Sequence, residues 1–326
     1  VREYARKDSR IKYFRNKENI GYTMSFAKLP ELARGEYVQL LGADDWLAGN
    51  YVEACLKEFE AMPKTACVTP AVITVDAMED GTFRFLNKVL PKKKAMPAKF
   101  YINNVYRTEL GSTLTALALF RRGDFLEGAR YIRDFLRDPA LDAHKEMKAL
   151  HLKGHGTGTL FLLKTVRKYD CITFTDRTAY LKTRNRSNRD KPHNSIIDWT
   201  SAGNILRSYY FDLLAYNSLF KGEYKAFSGK FRLFFATEPF VSTLFMFVKK
   251  RFKRGFFGDV KMRDVKEYFS GYSAVEKAAA LLYLPVRFVM RIARFAVRPF
   301  IDRRSAHTHI YKDDYFLSKD GNFVLQ

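Results

Sequence analysis

The sequence predicts an α/β protein in which a mixed sheet flanked by helices is followed by a mostly helical, basic C-terminal region. Residues 37–41 form a short apolar run between Gly35 and Gly42, which is typical of a buried strand and too short for a helix. Apolar residues within 52–59 recur at intervals of three and four, the spacing of an amphipathic helix. Residues 281–300 are apolar except for arginines at helical spacing, which predicts a helical C-terminal part.

The remaining elements follow in chain order from periodicity and from turn residues. The predicted strands are residues 10–15, 37–43, 66–75, 114–120, 172–174 and 179–181. The predicted helices begin near Thr23 and after Asn50, and then cover residues 124–137, 143–152 and 159–168. Asn50 and Glu53 have the spacing of a capping box, and Pro70 marks an edge or a bulge in its strand. A polar, turn-rich stretch places a domain boundary near residue 195, which gives domains 1–195 and 196–326.

Two adjacent carboxylates, Asp44 and Asp45, follow the strand at residues 37–43. In an open α/β sheet, ligands collect beyond the carboxyl ends of the strands. Two acids at such a position, preceded by the small residues Gly42 and Ala43, suit a hard divalent cation that holds a diphosphate. The alternative interpretation is a solvated acidic turn.

The order of motifs around these acids resembles that of a known enzyme family. Arg10-Ile11 is followed by Asn19-Ile20-Gly21, then by Ala33-Arg34-Gly35-Glu36-Tyr37, and finally by Gly42-Ala43-Asp44-Asp45. This ordered set resembles the family 2 inverting glycosyltransferases of the GT-A fold. The close match covers about residues 8–60, and a looser match extends to about residue 190.

The resemblance implies a binding site for a nucleotide-sugar donor. It implies that Asn19 and Gly21 contribute to donor binding and that Asp44 holds Mg²⁺ or Mn²⁺ against the donor diphosphate. The family's first motif acid is replaced by Gly42, so fewer carboxylates are available for the metal. Since Mg²⁺ commonly keeps waters and takes few protein ligands, one carboxylate can suffice at lower affinity. Arg184 and Arg186, after the last predicted strand, are candidates for contacts with the same phosphates.

The catalytic base is harder to assign. The family places an acid pair at the start of the helix before the closing strands, whereas this chain has the glycine-rich residues 154–158 there. His155 is the one group in that turn that can accept a proton near neutral pH, and Asp45 is a second catalytic candidate. The upstream acids Asp138, Asp142 and Glu146 stay open as alternatives, as does a protein that only binds.

The resemblance also implies that part of the nucleotide site lies before Val1. A GT-A domain begins with a strand, a helix and a second strand that ends in acids contacting the nucleotide, and we expect these elements upstream of this sequence. The alternative is a divergent, shorter fold.

The net charge of +22 attracts polyanions such as anionic lipids or phosphorylated substrates. Residues 240–304 contain 15 Lys and Arg against 5 Asp and Glu, interleaved with long apolar runs. The arginines of residues 281–300 are spaced 4, 3 and 4 apart and share one helical face: Arg287, Arg291, Arg294 and Arg298. Such a helix suits the surface of an anionic membrane, and the alternative is a helix packed on the catalytic domain with solvated arginines. Nucleic acid is an unlikely partner, because the aromatic residues do not alternate with basic ones.

We therefore predict a glycosyltransferase that moves a sugar from a nucleotide-sugar donor to a saccharide or lipid-linked acceptor in surface polysaccharide synthesis. No uncharged apolar run is long enough to span a membrane, so the expected location is cytoplasmic, peripheral on the inner face of the membrane. The three cysteines have no metal-type spacing and are expected to be buried thiols. The rival functions are a nucleotidyltransferase and a non-catalytic membrane-surface module with a degenerate transferase fold.

Overall fold

The structure is a computed structural model. It describes residues 1–43, 45–77, 83–89, 93–104, 117–152, 156–185, 202–219, 229–248, 260, 262–270, 272–304, 315–317 and 323–325. Within these ranges the chain forms a mixed sheet with accompanying helices, as the sequence predicts, and the helices continue through the C-terminal part.

The strands of the main sheet are β1 (Tyr37–Gln39), β2 (Trp46–Leu47), β3 (Thr65–Ala77), β4 (Phe83–Val89), β5 (Ala95–Pro97), β6 (Leu119–Arg121) and β7 (Cys171–Asn185). Their order is β1-β6-β3-β7-β2, with β4 added to β3 and β5 added to β7. The central pair β3 and β7 is parallel, whereas the other pairs are antiparallel. A separate hairpin joins β8 (Tyr315–Leu317) to β9 (Phe323–Leu325).

The helices of the first half are α1 (Arg2–Lys7), α2 (Tyr22–Leu32), α3 (Tyr51–Ala61), α4 (Ala98–Asn104), α5 (Arg122–Arg137), α6 (Lys145–Leu152) and α7 (Thr157–Val166). A 3₁₀ helix, Pro139–His144, connects α5 to α6. The later helices are α8 (Ala202–Leu219), α9 (Gly229–Val248), α10 (Met262–Ser270) and α11 (Ala274–Arg304). The predicted domain boundary near residue 195 lies outside the described residues and stays a prediction.

A cluster of buried aromatic rings joins the sheet to the helices beside it. Phe26 of α2, Phe120 of β6, Phe125 of α5 and Phe161 of α7 have ring centroids 4.5 to 5.6 Å apart. Each ring is at most 3% exposed. Such edge-to-face and tilted contacts add to the hydrophobic free energy of burial, so this cluster fixes α2, α5 and α7 against the sheet.

The prediction of a strand at residues 10–15 is wrong. These residues are largely exposed and make no strand pairing in the described structure. The apolar–polar alternation that suggested a strand is present, but a strand also needs a neighbour that completes its hydrogen-bond ladder. The other predicted strands that fall on described residues lie in one sheet, as expected.

Asn50 does not cap α3 as the capping-box spacing predicted, since its side chain makes no hydrogen bond to that helix. Instead, its Oδ1 accepts a hydrogen bond of 2.8 Å from Thr178, and its Nδ2 donates one of 2.9 Å to the carbonyl of Arg177. These contacts hold an irregularity in β7 where the pairing with β3 shifts register after Pro70. The prediction that Pro70 marks a bulge is thereby confirmed.

The long helix α11 packs along α9 through buried ion pairs. Glu238 of α9, whose side chain is 8% exposed, accepts from Arg287 Nη2 at 2.5 Å and also contacts Arg291 Nη1. Arg287 Nη1 donates further to Thr237 Oγ1 at 2.8 Å, and Arg291 Nη1 donates to Ser242 Oγ at 3.0 Å. The helix was predicted correctly, but the prediction that its arginines face outward is wrong for Arg287 and Arg291.

The cause of this error is a partner that lies far away in sequence. Periodicity places the arginines on one face of α11, yet it does not reveal a carboxylate some fifty residues upstream. A buried acid between two guanidinium groups compensates charge inside the protein. The side chains of Arg294 and Arg298 lie outside the described residues.

The cysteine prediction is confirmed for Cys55 and Cys67, which are free and buried, and Cys171 is free and half-buried. Burial raises the pKa of the Cys55 thiol to about 12, so this thiol stays protonated at physiological pH. Burial also raises the pKa of Cys67. Cys55 and Cys67 therefore pack in the core as protonated thiols and are not nucleophiles.

Candidate active site

The loop that follows β1 and contains Asp45 is hydrogen-bonded to β7. Asp45 lies between β1 and β2, is half-buried, and donates its backbone N–H to the carbonyl of Gly42 at 3.2 Å. Its Oδ2 accepts a 2.7 Å hydrogen bond from the hydroxyl of Tyr180. Tyr180 belongs to β7, pairs with Leu47 of β2, and is fully buried. A sheet partner therefore fixes the Asp45 carboxylate in one orientation.

The neighbouring acid Asp44, predicted as the metal ligand, lies outside the described residues. The backbone on either side of it is described, so its place in the chain between Ala43 and Asp45 puts it beyond the carboxyl end of β1.

A second buried tyrosine, Tyr51, contacts the last residue of β1. The hydroxyl of Tyr51, at the start of α3, contacts the Gln39 Oε1 and lies 3.0 Å from the carbonyl of Leu117. Burial raises the pKa of Tyr51 well above its ordinary value, so the hydroxyl keeps its proton and remains a donor. Gln39 is the last residue of β1, and its side chain is thus held just before the acid-tipped loop.

The Asn-Ile-Gly motif forms a tight turn at the start of α2. The Asn19 Oδ1 accepts a 3.0 Å hydrogen bond from the Gly21 N–H. Gly21 has a φ of 79°, and a Cβ added there would lie 2.6 Å from the carbonyl oxygen of Leu152. Only glycine fits this backbone conformation without strain. In the described structure the motif therefore shapes the approach of α2 to the end of α6.

The same motif lies beside the turn that carries the predicted base. Thr23 of α2 donates to the backbone carbonyl of His151, and its hydroxyl lies 2.6 Å from that of Thr157. His151 ends α6 and Thr157 begins α7, so one side chain ties α2 to both sides of the turn. His155 itself lies outside the described residues. The structure thus brings the predicted donor loop next to His151 and Thr157, the described residues that precede and follow His155 in sequence.

A buried pair lies under this turn, and the sequence did not predict it. His151 Nε2 lies 3.9 Å from Asp212 Oδ1 of α8, and the two side chains are 1% and 3% exposed. Gly156, with a φ of 65°, covers the pair: a Cβ there would lie 2.7 Å from the His151 ring and 2.8 Å from Asp212. The one sequence signal was an isolated acid in the apolar run 211–215. Tyr180 had no such signal, because its partner is set by sheet pairing.

The two arginines predicted to contact the donor phosphates are Arg184 and Arg186. Arg184 lies on β7, where its backbone pairs with Asp76, and its side chain is outside the described residues, as is the whole of Arg186. Since a strand rises about 3.3 Å per residue, Arg184 is about 13 Å along β7 from Tyr180.

The alternative bases lie on other parts of the surface. Asp142 is exposed, and its Oδ1 accepts from Lys148 at 2.6 Å. Asp138 lines a cavity of about 650 Å³ between α5, α7 and the end of α8, together with Lys164 and Arg167. The side chain of Glu146 is outside the described residues. None of these described contacts links Asp138 or Asp142 to Asp45.

Among the described residues, no group of three or more His, Cys, Asp and Glu side chains is arranged to hold a metal ion. Asp44 and His155 lie outside these residues. The described donor set at the end of β1 is carboxylate oxygen from Asp45, the ligand type that Mg²⁺ and Mn²⁺ prefer.

Comparison with known proteins gives a family match for the first part of the chain. Residues 1–128 match the family model described as glycosyl transferase family 2. No curated protein matches the chain. The matched residues include the Asn-Ile-Gly turn, β1 and the acid-tipped loop, and they lie in a mixed sheet consistent with a GT-A-like fold. Residues 1–128 are therefore similar to glycosyl transferase family 2, as the sequence pattern predicted, and this match supports glycosyl transfer as the general chemistry of this part of the chain.

Proposed function

We propose that the protein transfers a sugar, with inversion, from a nucleotide-sugar donor to a saccharide or lipid-linked acceptor in surface polysaccharide synthesis. The observation that carries this proposal is the family match over the residues that form the acid-tipped strand end and the adjoining turn. In the reaction, the acceptor oxygen bonds to the anomeric carbon while the bond from that carbon to the diphosphate oxygen breaks. The acceptor proton must pass to a base on the protein.

Asp44 is the proposed ligand of Mg²⁺ or Mn²⁺. When bound, the cation neutralises charge that develops on the departing diphosphate. The neighbouring Asp45 accepts from Tyr180 and so keeps a fixed orientation beside this position. Arg184 and Arg186, which follow Tyr180 in sequence, are proposed to contact the donor phosphates. Asn19 and Gly21 are proposed to shape the donor pocket through the turn that they form.

Replacement of the proposed metal ligand tests both the activity and its metal dependence. We expect Asp44→Asn to abolish Mn²⁺-stimulated release of nucleoside diphosphate from a panel of UDP-, GDP- and dTDP-sugars, because the carboxylate that bridges to the cation is lost. Asp170→Asn is the matched control, since Asp170 is an exposed acid beside Lys64 that precedes β7, ten positions before Tyr180 in sequence.

Three outcomes separate the possibilities. Equal release in the presence of EDTA would show that no metal takes part. Activity retained in Asp44→Asn but lost in EDTA would move the ligand to Asp45. Vesicle binding without any turnover of the sugar nucleotides would support the non-catalytic module.

His155 is the proposed base, supported by the contacts that join Thr23, just after the donor motif, to His151 and Thr157, which precede and follow His155 in sequence. We expect His155→Ala to lower the rate of the chemical step by about 10²–10⁴-fold while the donor dissociation constant changes little. Single-turnover kinetics measure the step, and titration with the nucleoside diphosphate measures binding. An unchanged rate would transfer the role to Asp45, or to Asp138, Asp142 or Glu146, each open to the same substitution.

We also propose that the protein works in the cytoplasm, attached to the inner face of the membrane, where lipid-linked acceptors are presented. The basic composition of residues 240–304 supports attraction to anionic headgroups. Of the helices that the structure describes, none combines the length and the apolar character needed to cross a bilayer.

A further inference from the structure

Helix α11 exposes an apolar face to solvent. The face consists of large apolar side chains that are between 44% and 80% exposed, together with the exposed Pro285. Its members are Leu281, Leu282, Pro285, Val286, Val289 and Met290. Over these residues the face is about 14 Å long at the rise of an α-helix. The charged residues of 278–293 are Arg287 and Arg291, and both point away from this face toward α9.

The rotation of α11 about its axis is fixed by the contacts on its opposite side. Glu238 holds Arg287 and Arg291, one turn apart on the helix, in two ion pairs. The Arg287 guanidinium also lies 4.2 Å from the centre of the Phe234 ring. Rolling the apolar face inward would break these buried pairs, which is costly. The apolar face is therefore a stable feature of the surface.

A contiguous exposed patch of this kind usually marks an interaction site. A second copy of the chain is disfavoured as its occupant, because residues 240–304 carry many more Lys and Arg than Asp and Glu, so two copies would bring like charges together. An anionic lipid surface has the complementary charge. On α10, which precedes this helix, Arg263 and Lys266 are exposed. An apolar face with basic residues nearby is typical of helices that lie in the membrane interface.

We propose that the apolar face of α11 inserts into the acyl boundary of an anionic bilayer, with the helix parallel to the membrane plane. This rests on the proposed peripheral association and names the surface responsible. Arg287 and Arg291 serve a different purpose, since they hold α11 on α9 with the apolar face outward. Apolar burial thus provides the anchor, and the surrounding lysines and arginines bring the protein to the headgroups.

Cosedimentation of the full chain with vesicles tests the proposed surface. We expect Leu282→Gln, Val286→Gln and Val289→Gln, combined, to weaken binding to phosphatidylcholine–phosphatidylglycerol vesicles by roughly a hundredfold, because three apolar side chains lose their favourable transfer. The control combines Phe14→Gln, Leu29→Gln and Val52→Gln, which change apolar residues that are also exposed but lie elsewhere, and it should bind as the wild type does. Because all six side chains are exposed, thermal unfolding should be unchanged in both variants.

A fluorescence probe gives an independent readout. Val289→Trp should shift its emission to shorter wavelength on addition of these vesicles, and lipids brominated on the acyl chains should quench it. Salt should weaken wild-type binding only in part, since screening acts on the charges and leaves apolar burial in place.

The possible failures are distinguishable. Equal binding by the wild type and the α11 variant would overturn the apolar face while leaving peripheral association intact. If the wild type binds no vesicles, the peripheral association itself is wrong. A wild-type dimer in the absence of lipid that becomes monomeric in the α11 variant, with vesicle binding unchanged, would assign the face to a second copy.

Discussion

Glu238→Gln should lower the free energy of unfolding by roughly 3–5 kcal/mol. The Glu238 carboxylate is buried between the guanidinium groups of Arg287 and Arg291, and the neutral amide leaves both charges without compensation. Urea denaturation followed by circular dichroism should show a lower midpoint with an unchanged m-value, since the surface exposed on unfolding stays the same.

The matched control is Glu53→Gln on α3. Glu53 forms an exposed pair with Lys57 one turn away, and solvent screening leaves such a pair with little effect on stability. A combined Glu238→Leu, Arg287→Met and Arg291→Met variant should recover much of the lost stability, because apolar residues can replace a complete buried ion cluster. Equal midpoints for Glu238→Gln and Glu53→Gln would show that the cluster does not hold α11 on α9.

Gly21→Ala should destabilise the protein by about 1–3 kcal/mol from backbone strain alone, with a further cost from the contact to Leu152. The positive φ of Gly21 is unfavourable for alanine, and the added Cβ would lie 2.6 Å from a backbone oxygen that has little room to move. We also expect donor affinity to fall, because the shift would displace the turn that Asn19 closes. Unfolding midpoints and nucleotide titration measure the two effects.

Gly49→Ala is the control for this substitution. Gly49 has nothing within 4 Å of its added Cβ and has no positive φ, so alanine should be neutral or slightly stabilising there. If Gly21→Ala were as stable as Gly49→Ala, the turn would have to adopt another conformation, and its proposed role in the donor site would lose its structural basis.

Sequence periodicity correctly predicted helices and strands that depend mainly on their own residues. The strand at residues 37–43 is found as β1, shorter by its last residues, and the helix at residues 124–137 is found as α5. The family followed from an ordered set of short motifs. By contrast, residues 10–15 have the composition of a strand but no described partner strand. The periodicity of a segment does not show whether another strand will pair with it.

The contacts that the sequence did not predict are all long-range. Tyr180 reaches Asp45 from 135 positions away, and Arg287 reaches Glu238 from 49 positions away. Asp212 meets His151 because α8 packs on the end of α6. In each case the sequence near the polar group does not identify its partner, because tertiary packing places that partner opposite it. Sequence reasoning therefore identified the motifs that carry the family resemblance, but not the distant residues that contact them.

The buried contact between His151 and Asp212 limits how this enzyme can be divided or recombined. Asp212 belongs to a helix well beyond the family-matching residues, yet it lies under the turn that adjoins the donor motif. A graft of residues 1–185, which contain the main sheet, onto a different set of C-terminal helices would leave His151 facing a foreign surface. Chimeras of such transferases would have to exchange α6, the following turn and α8 together. The unit that can be exchanged is therefore defined by which side chains contact each other, and not by a continuous stretch of sequence.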